Sequence, residues 1–127
     1  MKQLSYKKGS SRYDGQKGEN AAEGFLKEKG IRILEKNFRC RAGEIDMIGL
    51  EGDTYVFFEV KYRRKNYSGE PYEAVGYKKQ RKICLAADFY RMIHRLSEDT
   101  KIRFDVVSIL GDGITWYKNA FYYIRRD

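Results

Sequence analysis

The sequence predicts an α/β fold in which helices flank a β-sheet, with the elements in the order α-β-β-β-α-β-β. Two segments repeat apolar residues at helical spacing, and five shorter segments are rich in apolar and β-branched residues. Turn signals that contain glycine separate several of these segments. The 127 residues and the 42% apolar fraction suit a single packed domain.

The predicted elements follow one another closely along the chain. The first helix is predicted over 18–29, with Gly30 as its stop, and the second over 73 to about 96. The strands are predicted over 31–38, 45–50, 54–62, 101–109 and 114–118, and an aromatic tail over 119–126 is expected to cover a sheet edge or face. Asp105, inside the fourth strand, is expected to pair locally with Arg103 or a helix residue.

Residues 1–17 precede the domain, which is predicted over 18–127. They are polar and mostly basic, and they lack the apolar stretch of a secretory signal. They are predicted to form a flexible basic arm, and an arm that contacts phosphate is a second interpretation.

The balance of charges limits the classes of partner. The chain has 26 Lys and Arg against 18 Asp and Glu, a net charge of +8. This excess favours nucleic acid, although a merely basic soluble protein explains the charge equally well. No segment approaches the roughly 20 apolar residues of a membrane span, so no membrane partner is expected. Cys40 and Cys84 lack the spacing of a zinc site, and free thiols fit a cytoplasmic location.

The hairpin predicted over 43–63 places charged residues inside two apolar runs. If Gly52-Asp53 is its two-residue turn, Asp46 lies directly across from Glu59. Like charges so placed destabilise a sheet unless a cation lies between them. The hairpin therefore predicts a hard-metal site on these two carboxylates. The same register places Glu44 across from Lys61, and these two are expected to form an ion pair.

Two basic stretches are predicted beside this hairpin. One begins the loop after the third strand, and the other lies in the first turns of the second helix. Phosphate binding is the functional interpretation, whereas a solvated basic face is the structural alternative. The residues are Arg63, Arg64 and Lys65 in the loop, and Lys78, Lys79, Gln80, Arg81 and Lys82 in the helix.

The order of motifs resembles a known superfamily. Asp46, twelve residues and then Glu59-Val60-Lys61 resemble the PD-(D/E)XK motif, and the element order resembles the mixed sheet of the restriction-endonuclease-like core. More closely, the chain resembles the YraN-like bacterial proteins over nearly everything after the arm. The matching pieces are Gly18-Glu19, Gly43-Glu44-Ile45-Asp46, Phe58-Glu59-Val60-Lys61, the basic run of the second helix, Arg103-Phe104-Asp105-Val106 and Asn119-Ala120-Phe121.

The resemblance implies a role for each candidate. Asp46, Glu59 and the Val60 backbone carbonyl would hold Mg²⁺ or Mn²⁺. Lys61 would stabilise charge on the phosphate or orient the attacking water. Glu19 corresponds to an acidic residue on the first helix of archaeal Holliday-junction resolvases, which share this core. It is a candidate to hold the metal or a metal-bound water, whereas a surface glutamate suited to the helix dipole is the alternative. Lys79 and Gln80 are candidates for positioning the scissile strand.

The function expected from these residues is a metal-dependent DNA endonuclease, structure-selective on branched or flapped DNA. The first alternative is a nucleic-acid-binding protein that has the nuclease-like fold but little or no catalytic activity. A basic domain that binds protein is the second alternative. A homodimer with two-fold symmetry would suit a four-way junction, but the sequence identifies no interface.

Overall fold

The structure, a computed structural model, describes residues 11–64 and 75–125, with side chains described from residue 15 onward. These residues form two helices and five strands, which confirms the predicted order. The elements are α1 (Ser11–Glu28), β1 (Arg32–Cys40), β2 (Gly43–Glu51), β3 (Thr54–Arg63), α2 (Tyr77–Ile93), β4 (Ile102–Leu110) and β5 (Gly113–Phe121). None of the helices in the described ranges is long and apolar enough to cross a membrane.

The largest differences from the predicted bounds lie at the ends of elements. Helix α1 begins at Ser11, so residues 11–17, predicted as part of the flexible arm, are helical. Residues 15–17 are exposed, so no buried apolar residue marks this turn in the sequence. Residues 1–10 of the predicted arm, and the loop residues from Lys65 onward, lie outside the described residues.

Strand β5 is longer than predicted and absorbs the first part of the expected aromatic tail. It pairs with β4 as far as Phe104↔Phe121, and the two rings stack with centroids 5.1 Å apart. Phe121 is buried against the sheet, as expected for a covering residue, whereas Tyr122 is exposed. The β5 extension follows because a buried aromatic pair stabilises the last residues of a strand.

The five strands form one mixed sheet in the order β1-β2-β3-β4-β5. Neighbouring strands are antiparallel except β3 and β4, which are parallel. Parallel neighbours need a long crossover connection, and α2 lies in the segment that joins them. The crossover places α2 against one face of the sheet.

Each helix covers a different face of the sheet. Ile83, Ala87 and Tyr90 of α2 belong to the same buried cluster as Phe57 and Phe104. Ala22 and Leu26 of α1 belong to a second cluster with Phe58 and Val107. Because consecutive strand residues point to opposite faces, adjacent residues such as Phe57 and Phe58 separate the two layers.

The hairpin of β2 and β3 has the predicted register from its turn as far as Met47↔Phe58, but the next predicted pair, Asp46 directly across from Glu59, is not part of the ladder. Gly52, at a φ of 62°, supplies the left-handed turn residue, and paired residues run from Glu51↔Thr54 to Met47↔Phe58. Beyond that pair, β2 continues beside β1 and β3 continues beside β4. Within the described residues the two strands therefore part as a fork, and Asp46 and Glu59 are the first residues past it.

Candidate metal centre

The fork leaves one backbone group of β3 available to a side chain of β2. Val60 would face Ile45 if the hairpin ladder continued, but its N–H donates instead to Asp46 Oδ2 at 2.8 Å. The Asp46 carboxylate thus accepts the hydrogen bond of a backbone N–H that has no partner in the β2–β3 ladder, and buried backbone N–H groups need such a partner. This hydrogen bond fixes Asp46 at the base of the fork.

The same geometry bears on the Val60 carbonyl, which was predicted as a metal ligand. The N–H and C=O of one strand residue point toward the same neighbouring strand. Since the Val60 N–H points toward Asp46, its carbonyl faces the same gap. The carbonyl is therefore expected to face the gap, and its role as a metal ligand remains a prediction.

Asp46 lies in an environment that opposes its negative charge. Burial and then the neighbouring Glu59 carboxylate raise the pKa of Asp46 to about 8. The hydrogen bond from Val60 and the Lys79 amine act in the opposite direction, and Glu19 adds to the rise. The surroundings of Asp46 therefore disfavour its charged form, and a bound cation would oppose that effect.

Glu59 has a basic partner from the second helix. Its side chain is buried, and its Oε1 lies 2.6 Å from Lys79 Nζ. Burial alone would lower the pKa of Lys79, but Glu59, then Asp46 and Glu44, raise it above its ordinary value. The Lys79 ammonium is thus held by the carboxylates of the proposed site rather than presented only to solvent.

Helix α1 brings Glu19 to the other side of the site. Glu19 Oε2 accepts a hydrogen bond of 3.2 Å from Asn37 Nδ2, on β1. Burial raises the pKa of Glu19, the Asn37 hydrogen bond lowers it, and the charge on Glu44 raises it. Asn37 has a φ of 54°, a left-handed conformation that asparagine tolerates better than most residues. By the β1–β2 register this residue stands opposite Asp46, so local backbone irregularity coincides with the site.

The close approach of α1 to β3 depends on Gly18, the residue before Glu19. A Cβ built on Gly18 would lie 2.7 Å from the Tyr62 Cβ, closer than real Cβ atoms come. Tyr62 Cβ is attached directly to the β3 backbone, so the helix itself would have to move.

We therefore expect Gly18→Ala to destabilise the protein by about 1–3 kcal/mol, although alanine favours a helix interior by about 1 kcal/mol. Gly24→Ala, in the same helix, is the matched control because its added Cβ meets nothing within 4 Å. Urea unfolding should show Gly24→Ala more stable than the wild type. Equal stability changes in the two variants would contradict this account of Gly18.

A cavity of about 670 Å³ opens between α2 and the fork. Asp46 and Glu59, its least exposed charged residues, form its floor, and exposed basic side chains form its rim, an arrangement that suits a cation and an anionic ligand together. Gly43, at the β1–β2 turn, lets α2 approach, because a Cβ there would lie 3.1 Å from the Lys82 carbonyl oxygen. The charged lining residues are Glu44, Asp46, Glu59, Arg39, Lys78, Lys79 and Lys82.

One predicted partnership is different in the structure, and one candidate residue has a partner that was not predicted. Glu44 was expected to pair with Lys61, but its Oε2 lies 3.3 Å from Arg39 Nε. The reason is that β1 places Arg39 directly opposite Glu44, and cross-strand neighbours of opposite charge pair readily. Gln80 Nε2 donates a hydrogen bond of 2.6 Å to the Val75 carbonyl at the start of α2, and its role in positioning the scissile strand remains a prediction.

The remaining predicted residues lie at increasing distance from the fork. Lys61 is half-buried on β3, two residues past Glu59 and on the same side of the strand. Arg63 and Arg64 lie where β3 ends, and the Arg63 carbonyl accepts a hydrogen bond of 2.9 Å from the Gly111 N–H. Arg81 is exposed on α2, and Lys65 lies outside the described residues.

The residues at the fork fit one class of metal better than others. No three His, Cys, Asp or Glu side chains in the described ranges are grouped closely enough to form a complete protein cage. Mg²⁺ does not need one, because it keeps several waters and takes one or two carboxylates plus substrate phosphate. Asp46, Glu59 and the Val60 carbonyl match this sparse oxygen set.

Comparison with known proteins identifies the family. The family model described as "Uncharacterised protein family UPF0102" matches residues 18–109. The chain belongs to the UPF0102 family. This confirms the YraN-like resemblance, and the matched residues include the first five of the six pieces that suggested it.

Several UPF0102 relatives align with this chain over most of their length. A UPF0102 protein of Lachnoclostridium phytofermentans is 44% identical over 112 residues, covering 88% of this chain and 95% of that protein. One of Syntrophus aciditrophicus is 50% identical over 111 residues, covering 84% and 87%. One of Colwellia psychrerythraea is 44% identical over 122 residues, covering 92% and 95%.

Sequence reasoning missed two features of this UPF0102 site. The role of Asn37 depends on a left-handed backbone, and an Asn beside an apolar residue in a predicted strand is a weak signal for it. The position of Arg39 at the rim could have been found by extending the hairpin register to β1 through the two-residue turn before Gly43.

Proposed function

We propose that this protein is a metal-dependent DNA endonuclease of the PD-(D/E)XK type, which hydrolyses a phosphodiester bond at the fork of β2 and β3. The observation that carries the proposal is the pair of carboxylates, Asp46 and Glu59, on the floor of a cavity with a basic rim. Two like charges, one buried on Glu59 and one half-buried on Asp46, are costly to the fold, and a divalent cation between them would relieve that cost. The basic rim supplies the charge that a phosphate would need.

Each group of the proposed site has a distinct task. Asp46, Glu59 and the Val60 carbonyl would hold Mg²⁺ or Mn²⁺, which polarises a phosphoryl oxygen and lowers the pKa of a bound water. Lys78 and Lys82, exposed at the rim, would bind the phosphates on either side of the scissile bond. Lys61 would stabilise the charge that develops on the phosphate. Glu19 would orient a water through its place beside Asp46.

DNA is the proposed substrate because backbone phosphates are what the site offers to bind. The rim lysines supply charge without the planar donor pairs that read base edges, and the Arg39 guanidinium at the rim is paired with Glu44, so we expect little sequence preference. Selection among DNAs would then depend on shape. Branched or flapped DNA, whose strands diverge, is the proposed preference.

One observation favours the non-catalytic alternative. The Lys79–Glu59 ion pair already neutralises one of the two carboxylates, as would suit a domain that binds nucleic acid without cutting it. The two functions differ in metal dependence, since a binder without a metal site needs no divalent cation.

The test is cleavage of four-way junction, flap, single-stranded and duplex DNA in Mn²⁺, with EDTA as the metal-free condition. We expect the wild type to cut and Glu59→Gln to lose at least about a hundredfold in rate, since even residues behind a metal ligand contribute 10–100-fold. Glu44→Gln is the matched control, because Glu44 lines the same cavity but is exposed and pairs with Arg39.

Three results would count against the proposal. Cleavage that survives Glu59→Gln would show that the activity lies elsewhere. Equal losses in Glu59→Gln and Glu44→Gln would show a general charge effect. Salt-dependent DNA binding without cleavage in Mn²⁺ would establish the binding alternative.

A further inference from the structure

We propose that Lys79 is the resident cation of the site: its amine occupies the carboxylates in the metal-free protein and moves to the DNA backbone when a divalent metal binds. This inference rests on the proposed function and adds a switch to it. It assigns Lys79 two successive partners, one acidic and one phosphate.

The two members of the ion pair differ in freedom. The Glu59 side chain is 7% exposed and is fixed within the sheet, whereas the Lys79 side chain is 58% exposed. Lysine has a long flexible stem with a compact charge at its end. If the contact breaks, Lys79 can therefore leave without disturbing the core, and Glu59 cannot.

Lys79 Nζ lies 2.6 Å from Glu59 Oε1, one of the oxygens that the proposed metal would use. It also interacts electrostatically with Asp46 and Glu44. A single ammonium supplies one positive charge to this set of carboxylates, and a divalent ion supplies two. The amine and the metal would thus compete for the same Glu59 oxygen and for the same negative electrostatic potential of the carboxylates.

The place to which Lys79 would move is defined by its neighbours on α2. Lys78 and Lys82 line the same cavity, so the released amine joins a row of ammonium groups at its rim. The site then exchanges an internal ion pair for a phosphate contact. Binding of the metal and tight binding of the DNA backbone become coupled through the Lys79 side chain.

The experiment compares Mn²⁺ affinity, measured by calorimetry, in the wild type, Lys79→Gln and Lys79→Arg. Lys79→Gln retains an N–H donor for Glu59 but removes the competing charge, so we expect Mn²⁺ to bind on the order of tenfold to a hundredfold more tightly. Lys79→Arg retains the charge and should bind Mn²⁺ within about threefold of the wild type. Lys78→Gln and Lys82→Gln are the matched controls, because they remove rim charges that solvent screens more strongly.

A second readout is DNA affinity, measured in EDTA and in Ca²⁺. We expect Lys79→Gln to leave affinity unchanged in EDTA, where the wild-type lysine is held by Glu59, and to weaken it in Ca²⁺. Equal weakening in both conditions would overturn the switch, as would Mn²⁺ affinity no higher than that of Lys78→Gln. These results would leave the proposed endonuclease intact if the wild type binds Mn²⁺ and cuts.

The failure of the proposed function has a different signature. If neither the wild type nor any variant binds Mn²⁺, both the endonuclease and the switch are wrong. If only Lys79→Gln binds Mn²⁺, the switch is supported, and the wild type would require DNA phosphate to draw the amine away before metal enters.

Discussion

Replacing Asp46 by asparagine is expected to abolish Mn²⁺-dependent cleavage and, at the same time, to stabilise the folded protein. The loss of activity, about a hundredfold or more, follows from the loss of a metal-binding carboxylate. The stabilisation follows because burial and Glu59 both disfavour the charge on Asp46. The asparagine carbonyl can still accept the Val60 N–H, so the fork retains its hydrogen bond.

The stabilisation should depend on pH in a defined direction. The Asp46 carboxyl titrates near 3.8 in the unfolded chain and near 8 in the folded protein. Between these values the folded state holds more protons than the unfolded state, so the wild type loses stability as pH rises. Asparagine does not titrate. The advantage of Asp46→Asn should therefore grow from pH 5 to pH 8 and reach about 1–3 kcal/mol.

Urea unfolding at pH 5, 6, 7 and 8 measures this advantage. Asp53→Asn is the matched control, because Asp53 lies in the exposed hairpin turn and has only a surface ion pair with Lys101. Its effect should stay within about 0.5 kcal/mol at each pH. An Asp46→Asn protein that is less stable than the wild type at pH 8 would show that the carboxylate is stabilised in place, which would weaken the case for an absent cation.

The sequence was sufficient to bring Asp46 and Glu59 to the same cavity because their placement depends on local rules, although the direct pairing predicted for them is not part of the ladder. A two-residue turn fixes the hairpin register, and Gly52 adopts the conformation that this turn requires. The point at which β2 and β3 separate was beyond such rules. The point of separation depends on the pairing of β2 with β1 and of β3 with β4, and the hairpin sequence alone does not determine that pairing.

Contacts between elements were predicted less well for the same reason. The apolar stripe of α2 extends toward Lys79, but which of the basic residues reaches Glu59 depends on how the helix is rotated against the sheet. Glu44 was assigned to Lys61 because only two strands were considered, and β1 supplied Arg39 instead. Local pairing of Asp105 with Arg103 was predicted correctly, since the two residues lie on the same face of one strand.

The pairing of Asp105 with Arg103 underlies the largest stability effect that we expect. Asp105→Ala should lower the free energy of unfolding by about 3–5 kcal/mol. Asp105 is fully buried and accepts two hydrogen bonds of 2.8 Å from the Arg103 guanidinium. It also accepts one from Trp116 Nε1 and one from the Asn119 N–H, each at 2.8 Å. Alanine would leave these donors without their acceptor, and Arg103 would keep a partly buried charge supported only by its second partner, Glu51.

The measurement is urea unfolding followed by fluorescence, since Trp116 is the single tryptophan and contacts Asp105 directly. Asp112→Ala is the matched control, because Asp112 is an exposed acid in the turn between the same two strands and should cost less than about 0.5 kcal/mol. A loss below about 1 kcal/mol for Asp105→Ala would show that water replaces the missing acceptor.

Asp46 and Asp105 have similar backbone contacts but opposite expected effects on stability. Each carboxylate accepts a backbone N–H from a neighbouring strand, and each lies beside an asparagine with left-handed φ, Asn37 or Asn119. Asp105 has a guanidinium to balance its charge, whereas Asp46 faces a second carboxylate. Asp105→Ala should therefore unfold the protein more readily but retain Mn²⁺ affinity below the transition, and Asp46→Asn should do the reverse. This opposite behaviour follows because Asp105 accepts hydrogen bonds directly from a guanidinium, whereas the amine that interacts with Asp46, that of Lys79, is paired with Glu59.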